Sequence, residues 1–203
     1  SHTDDLDSEL FKHDFDMNGW EYIHRFLNIK NTIPNASAVL FKKQTYLQIE
    51  GACSHLNLIG DWSVWAKIVS RGDIHFSSRC LNDFRYHATS VIATAKQTSG
   101  PFRLRRQIIL FRSEISNFWQ HHLSDSELTP QIYKKNKIFL YKEVVRNCSF
   151  AIRRRHFEEI IPTIRDACNI LPVYLLPIFM FKMAIKLIYS IIFDAPIKKL
   201  LKK

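Results

Sequence analysis

The sequence predicts an α/β chain that is mostly helical by content. Short β-prone runs at 37–41 (S-A-V-L-F) and 73–78 (D-I-H-F-S-S) have the length of strands, and a helix opens between them at Gly60-Asp61. Beyond Thr98-Ser-Gly-Pro101 the chain reads as helix almost throughout. Hydrophobic residues make up 46% of the 203, enough for a sizeable core and too many for global disorder. The composition shift near residue 100 divides the chain into residues 1–99 and a basic helical extension, 100–203.

The elements follow in order. Asn18-Gly19 marks a turn, and Trp20, Ile23, Phe26 and Leu27 then repeat at helical spacing. Asn31-Thr-Ile-Pro34 is a loop, because a residue before proline is biased to extended geometry. The run at 37–41 is expected as a buried strand, and Lys43 to Leu47 as a short helix. Asp61 is expected to cap the next helix through its carboxylate. Trp65, Ile68 and Val69 form the buried stripe of that helix, and Gly72 is expected to end it. Residues 73–78 alternate as a strand does, and 81–87 (L-N-D-F-R-Y-H) follow as a second extended piece. Past residue 100, Leu104, Ile108, Phe111, Ile115, Phe118 and His122 line one helical face. Thr129-Pro130 reads as an N-cap with proline at the first helical position. That helix is expected to run to about Ile161, where Pro162 stops or kinks it.

Composition excludes several classes. Five glycines and no G-x-G-x-x-G or G-x-x-x-x-G-K-[ST] argue against a glycine-rich phosphate loop. The net charge of +10 suits an anionic partner, and the excess lies mainly after Arg103, at Arg153-Arg-Arg155 and at Lys198 to Lys203. A solvated helix face explains the Arg153-Arg-Arg155 run and no known nucleic-acid motif appears, so no nucleic acid is expected as partner. Cys53, Cys80, Cys148 and Cys168 are scattered without a C-x-x-C, which indicates reduced thiols rather than a zinc module or a disulfide framework. No signal peptide is recognised, and the expected location is cytoplasmic, peripheral on the inner face of the cell membrane.

The stretch 170–193 is apolar and long enough to weigh as a membrane span. Lys182 and Lys186 each cost roughly 2.5–3.5 kcal/mol near a bilayer centre, which argues against a span. With Ser190 they step by four, as on a helix lying along an anionic membrane surface. The terminal lysines add attraction to such a surface. A core helix of the extension is the competing expectation.

Three groups suggest chemistry. Asp61 sits at a helix start beside Trp62 and Trp65, where N–H groups and the helix dipole are expected to keep it ionised, as suits a general base. His87 ends an extended piece and could ligate a metal. Arg85, two residues earlier, could clamp phosphate. Asp5-Leu-Asp7 spells D-x-D, but only three residues precede its acidic run, so it reads as a solvated end.

Taken together, Asn31-Thr-Ile-Pro-Asn-Ala-Ser-Ala-Val-Leu-Phe-Lys-Lys43, Gly60-Asp-Trp-Ser-Val-Trp65, Ile74-His-Phe76 and Leu81-Asn-x-Phe-Arg-x-His87 resemble, in order and spacing, bacterial family 2 glycosyltransferases, inverting enzymes of the GT-A fold. The resemblance spans about residues 10–90. It implies the C-terminal, acceptor-side half of a GT-A-like domain within residues 1–99. It implies transfer of a sugar from a nucleotide-diphosphate sugar to a glycan or lipid-linked acceptor, in surface polysaccharide synthesis. Asp61 matches the catalytic base, and Trp62 and Trp65 match the aromatic pair of the acceptor side. Asn35, Ala36 and Ser37 match a loop near donor sugar and acceptor, and His87 matches a histidine that joins the metal site. Gly60 departs from the glutamate of many relatives. The family's N-terminal half, which ends in D-x-D after an apolar strand, has no counterpart in this sequence. The expectation is therefore part of a longer enzyme, inactive alone, whose manganese or magnesium ion binds only with that other half. A non-catalytic module for a membrane surface or a protein partner is the alternative.

Overall fold

The computed structural model describes residues 4–33, 35–83, 100–122, 128–168 and 176–189. Two antiparallel strands, β1 (Phe15–Met17) and β2 (Ile74–Phe76), pair Phe15 with Phe76, Asp16 with His75 and Met17 with Ile74. The helices are α1 (Asp4–Asp7), α2 (Gly19–Tyr22), α3 (Lys43–Gln48), α4 (Gly60–Val69), α5 (Gly100–His122), α6 (Thr129–Arg154), α7 (Ile160–Cys168) and α8 (Leu176–Tyr189). The content is thus helical with a small sheet.

The strand pair closes one end of the core. Phe15 stacks on Phe76 at 5.1 Å, and Phe11 meets both edge-on. Asn18 then starts α2 by accepting from Trp20 N–H at 3.0 Å. It also ties to the far strand's approach by donating to Asp73 at 3.2 Å. Gly19 is required by a close approach: a Cβ there would lie 1.8 Å from the Val69 carbonyl oxygen and 2.1 Å from that of Gly72. The helical spacing from Trp20 to Leu27 is realised as α2 followed by a π-helical segment, Ile23–Leu27.

α5 organises the rest. One side of it, Phe111, Ile115 and Trp119, joins Trp20, Phe26, Leu27, Trp62 and Trp65 in a single apolar cluster. Its other side sends Ile109 into a second cluster with Leu140, Val144 and Cys148 of α6. The first cluster runs unbroken across residue 100, so the core has no break at the division expected there. Each such buried side chain stabilises the fold by about 1.5–3 kcal/mol.

Between the helices lies a buried polar knot. Arg112 donates to the carbonyl oxygens of Asn28 (2.5 Å) and Ile29 (3.1 Å), and to the Asn136 side chain (3.0 Å). Asn136 donates in turn to Ser116 at 2.6 Å. The guanidinium also lies over the rings of Trp62 and Phe139. Burial pushes Arg112 down to about 10, so it remains a cation at neutral pH. It thereby closes the C-terminal end of the π-helical segment, where carbonyls lack intrahelical donors.

Several expectations are corrected. Residues 37–41 form no strand. Asn35 and Ser37 bond side chain to side chain at 2.6 Å, and Ala36–Ala38 make a 3-10 turn. Leu40 and Phe41 that follow are exposed, and no strand among the described residues pairs with them. Ile59, not Asp61, holds the cap position of α4. Gly72 does not end α4: Ser70 does, and its hydroxyl donates to the Lys67 carbonyl at 2.7 Å. Leu128 takes the cap position of α6, without a side-chain hydrogen bond, in place of Thr129. α6 ends at Arg154 through Arg155 in the left-handed region (φ 61°), before Pro162 is reached. Pro162 instead lies in the first turn of α7, where a missing N–H costs nothing because those groups have no intrahelical acceptor.

Candidate functional site

α4 is buried almost all round, and its first turn brings Asp61 to the wall of a hollow of about 680 Å³. Ala36, Phe41, Tyr46, Cys53 and Trp65 form other parts of that wall. Trp65 follows Asp61 by four residues and so stands on the same helix face. The Phe41 ring lies 5.8 Å from both the Tyr46 and the Trp65 rings. The outcome is a carboxyl facing a group of aromatic surfaces.

Asp61 accepts from Trp62 N–H at 2.7 Å. Burial pushes its carboxyl above the ordinary range, while backbone N–H groups and the Asn31 side chain pull the other way without offsetting it. This corrects the expectation that the helix start would favour the anion. The first turn of α4 is packed into the core, so loss of water outweighs the N–H groups.

The other expected residues are placed as follows. Ala36 borders the hollow. Asn35 and Ser37 sit in the adjoining turn, and Asn82 donates to the Ser37 hydroxyl at 3.3 Å. Trp62 is a core residue: it stacks on Phe111 at 4.4 Å, and its indole N–H donates to the Leu27 carbonyl at 2.9 Å. Arg85 and His87 lie outside the described residues. Asp7, from the D-x-D, bonds Leu10 N–H at 3.1 Å and pairs with Arg25 at 2.8 Å.

A second grouping escaped sequence reasoning, which took Cys53 for one of four scattered reduced thiols. Glu114 of α5 reaches α4 and the loop before it and gathers four polar groups. Its Oε1 accepts from the Cys53 thiol (2.7 Å), Ser63 (2.9 Å) and the Lys67 ammonium (2.7 Å). Its Oε2 is buried without a hydrogen bond and lies 3.3 Å from His55 Nε2. Burial alone would raise the Glu114 carboxyl. The donors and the Lys67 charge outweigh it and hold the group below the ordinary range. Burial and the facing carboxylate push the Cys53 thiol up. Buried Gln107 of α5 fixes the loop by accepting from Leu58 N–H at 2.7 Å and donating to the His55 carbonyl at 3.2 Å. The only local signal was a C-x-H spacing; the glutamate lies 61 residues further on.

No family model, curated protein or solved structure matches the chain.

Proposed function

We propose that the hollow beside Asp61 is the acceptor side of a nucleotide-sugar transferase site. The observation that carries this reading is the half-buried Asp61 carboxyl in a hollow walled by Phe41, Tyr46 and Trp65. Aromatic faces suit the apolar C–H face of a sugar ring, and one polar group then fixes its orientation. A carboxylate with raised proton affinity is a stronger base than an ordinary aspartate. Asp61 takes the proton of an acceptor hydroxyl, whose oxygen attacks the anomeric carbon of the donor. The bond from that carbon to the nucleotide diphosphate breaks on the opposite side, with inversion. Asp61 is the one acid among the described residues that line the hollow. A hard dication requires several oxygen ligands, so manganese or magnesium does not fit here and no step runs through it.

The test is binding of the full chain to an array of oligosaccharides from bacterial surface polysaccharides. Phe41 is partly exposed, so Phe41→Ala spares the core and should weaken retention about 2- to 10-fold, as loss of one aromatic contact does. Retention of no glycan, or retention unchanged in both Phe41→Ala and Asp61→Asn, rejects the reading.

A second reading concerns location. α8 exposes Ile178, Phe181, Ile185 and Ile188 at steps of three and four, with Met180 and Tyr189 beside them. No helix among the described residues is long and apolar enough to cross a membrane. Such a stripe, followed by Lys198, Lys199, Lys202 and Lys203, suits an anionic bilayer surface. This reading would hold the acceptor site near lipid-linked glycans.

A further inference from the structure

We propose that Cys53, His55 and Glu114 form a binding site for a borderline-soft divalent ion, zinc above all. The three offer a thiol sulfur, an imidazole nitrogen and a carboxylate oxygen, all within 4.8 Å of one another. Around a tetrahedral zinc with bonds of about 2.0–2.3 Å, ligand atoms stand about 3–4 Å apart, so small side-chain movements close the set. The mixture of sulfur, nitrogen and oxygen excludes magnesium and calcium as natural occupants, since both prefer all-oxygen shells.

Two features support the site beyond proximity. Glu114 uses one oxygen for Cys53, Ser63 and Lys67, and its buried Oε2 has no hydrogen bond and faces His55. A carboxylate held through one oxygen presents the other to an ion, as outer partners of metal sites commonly arrange. Lys67 Nζ, 2.7 Å from Glu114 and 3.5 Å from Cys53 Sγ, is a cation with which a bound ion competes. Loop and helix are prearranged as well, because Gln107 anchors the backbone of the loop that carries His55 to the helix that carries Glu114.

Three protein ligands leave a fourth position open, which is the arrangement of catalytic rather than structural zinc. Cys53 also lines the hollow beside Asp61, so that position lies near the hollow. On binding, the Cys53 thiol loses its proton to solvent and the sulfur–metal bond forms; nothing is oxidised. The site does not depend on sugar transfer, and its test reads the metal directly.

The experiment is titration of the metal-free, reduced full chain with cobalt(II), followed by displacement with zinc. The expected result is a thiolate-to-cobalt charge-transfer band and tetrahedral ligand-field bands that saturate at one equivalent and vanish with zinc. Cys53→Ser should lose the charge-transfer band, whereas Cys80→Ser and Cys168→Ser should keep it. His55 is exposed, so His55→Ala keeps the fold and should weaken cobalt binding at least 10-fold. No band at one equivalent, a band that survives Cys53→Ser, or unchanged affinity in His55→Ala overturns the proposal.

Discussion

Asp61 and Glu114 are two carboxyl groups whose burial has opposite consequences. Glu114 sits below the ordinary carboxyl value of 4.5, so the stability it contributes is present above that pH and is lost as pH falls through its folded value. Asp61 sits above its ordinary 3.8, so ionising it costs the folded state stability at neutral pH. That cost disappears as pH falls below the unfolded value. Asp61→Asn keeps the acceptor for Trp62 N–H and removes the charge. Urea unfolding should therefore find the variant more stable than the native protein at pH 7, with the gap closing toward pH 3.8. Equal stability at pH 7 would mean that the carboxyl is well solvated. A residue that destabilises its own fold and faces a hollow fits a group kept for function. Arg112 is the contrasting case. Its removal would leave the Asn28 and Ile29 carbonyls without their donor, at about 1–3 kcal/mol for each unsatisfied group.

Among the elements, α5 and α8 show what a helical pattern does and does not settle. The stripe from Leu104 to Phe118 was legible because one side of α5 faces the first cluster. Ile109 lies off that stripe and is buried too, since α6 covers a second side. α8 reads from sequence as either core or surface helix. It packs against α6 on one side and leaves the Phe181 stripe exposed, uncovered by any described residue. If that stripe rests on lipid, the full chain should sediment with vesicles containing phosphatidylglycerol and far less with pure phosphatidylcholine. The pair Phe181→Glu and Ile185→Glu should then leave it in the supernatant without loss of helix content. Native protein that stays in the supernatant with anionic vesicles removes the membrane reading.

For the whole molecule, the shared core decides whether the two expected segments are independent. Trp62 of α4 is covered by Phe111 of α5, Trp20 by Trp119, and Asn28 by Arg112 and Ile132. A chain cut between residues 99 and 100 exposes all of these surfaces at once. Residues 1–99 expressed alone should lack the dispersed amide spectrum of a folded domain, and mixing with 100–203 should restore it. A folded 1–99 would show that α5 is dispensable to the first segment.

The sequence by itself determined the local elements whose causes are local. Asn18 before Gly19, the Trp20 to Leu27 spacing, the alternation at 73–78 and the start at Gly60 each named an element that formed. It also drew attention to Asp61. Tertiary structure alone decided everything that depends on what lies opposite. The run at 37–41 pairs with no strand among the described residues, and its first part enters the Ala36–Ala38 turn. Trp62 stacks on Phe111, and partial burial raises the Asp61 carboxyl. Cys53 and His55 met Glu114 only because α5 packs on α4. Side-chain periodicity records which faces are apolar, whereas burial, pairing and protonation follow from the partner that the fold supplies.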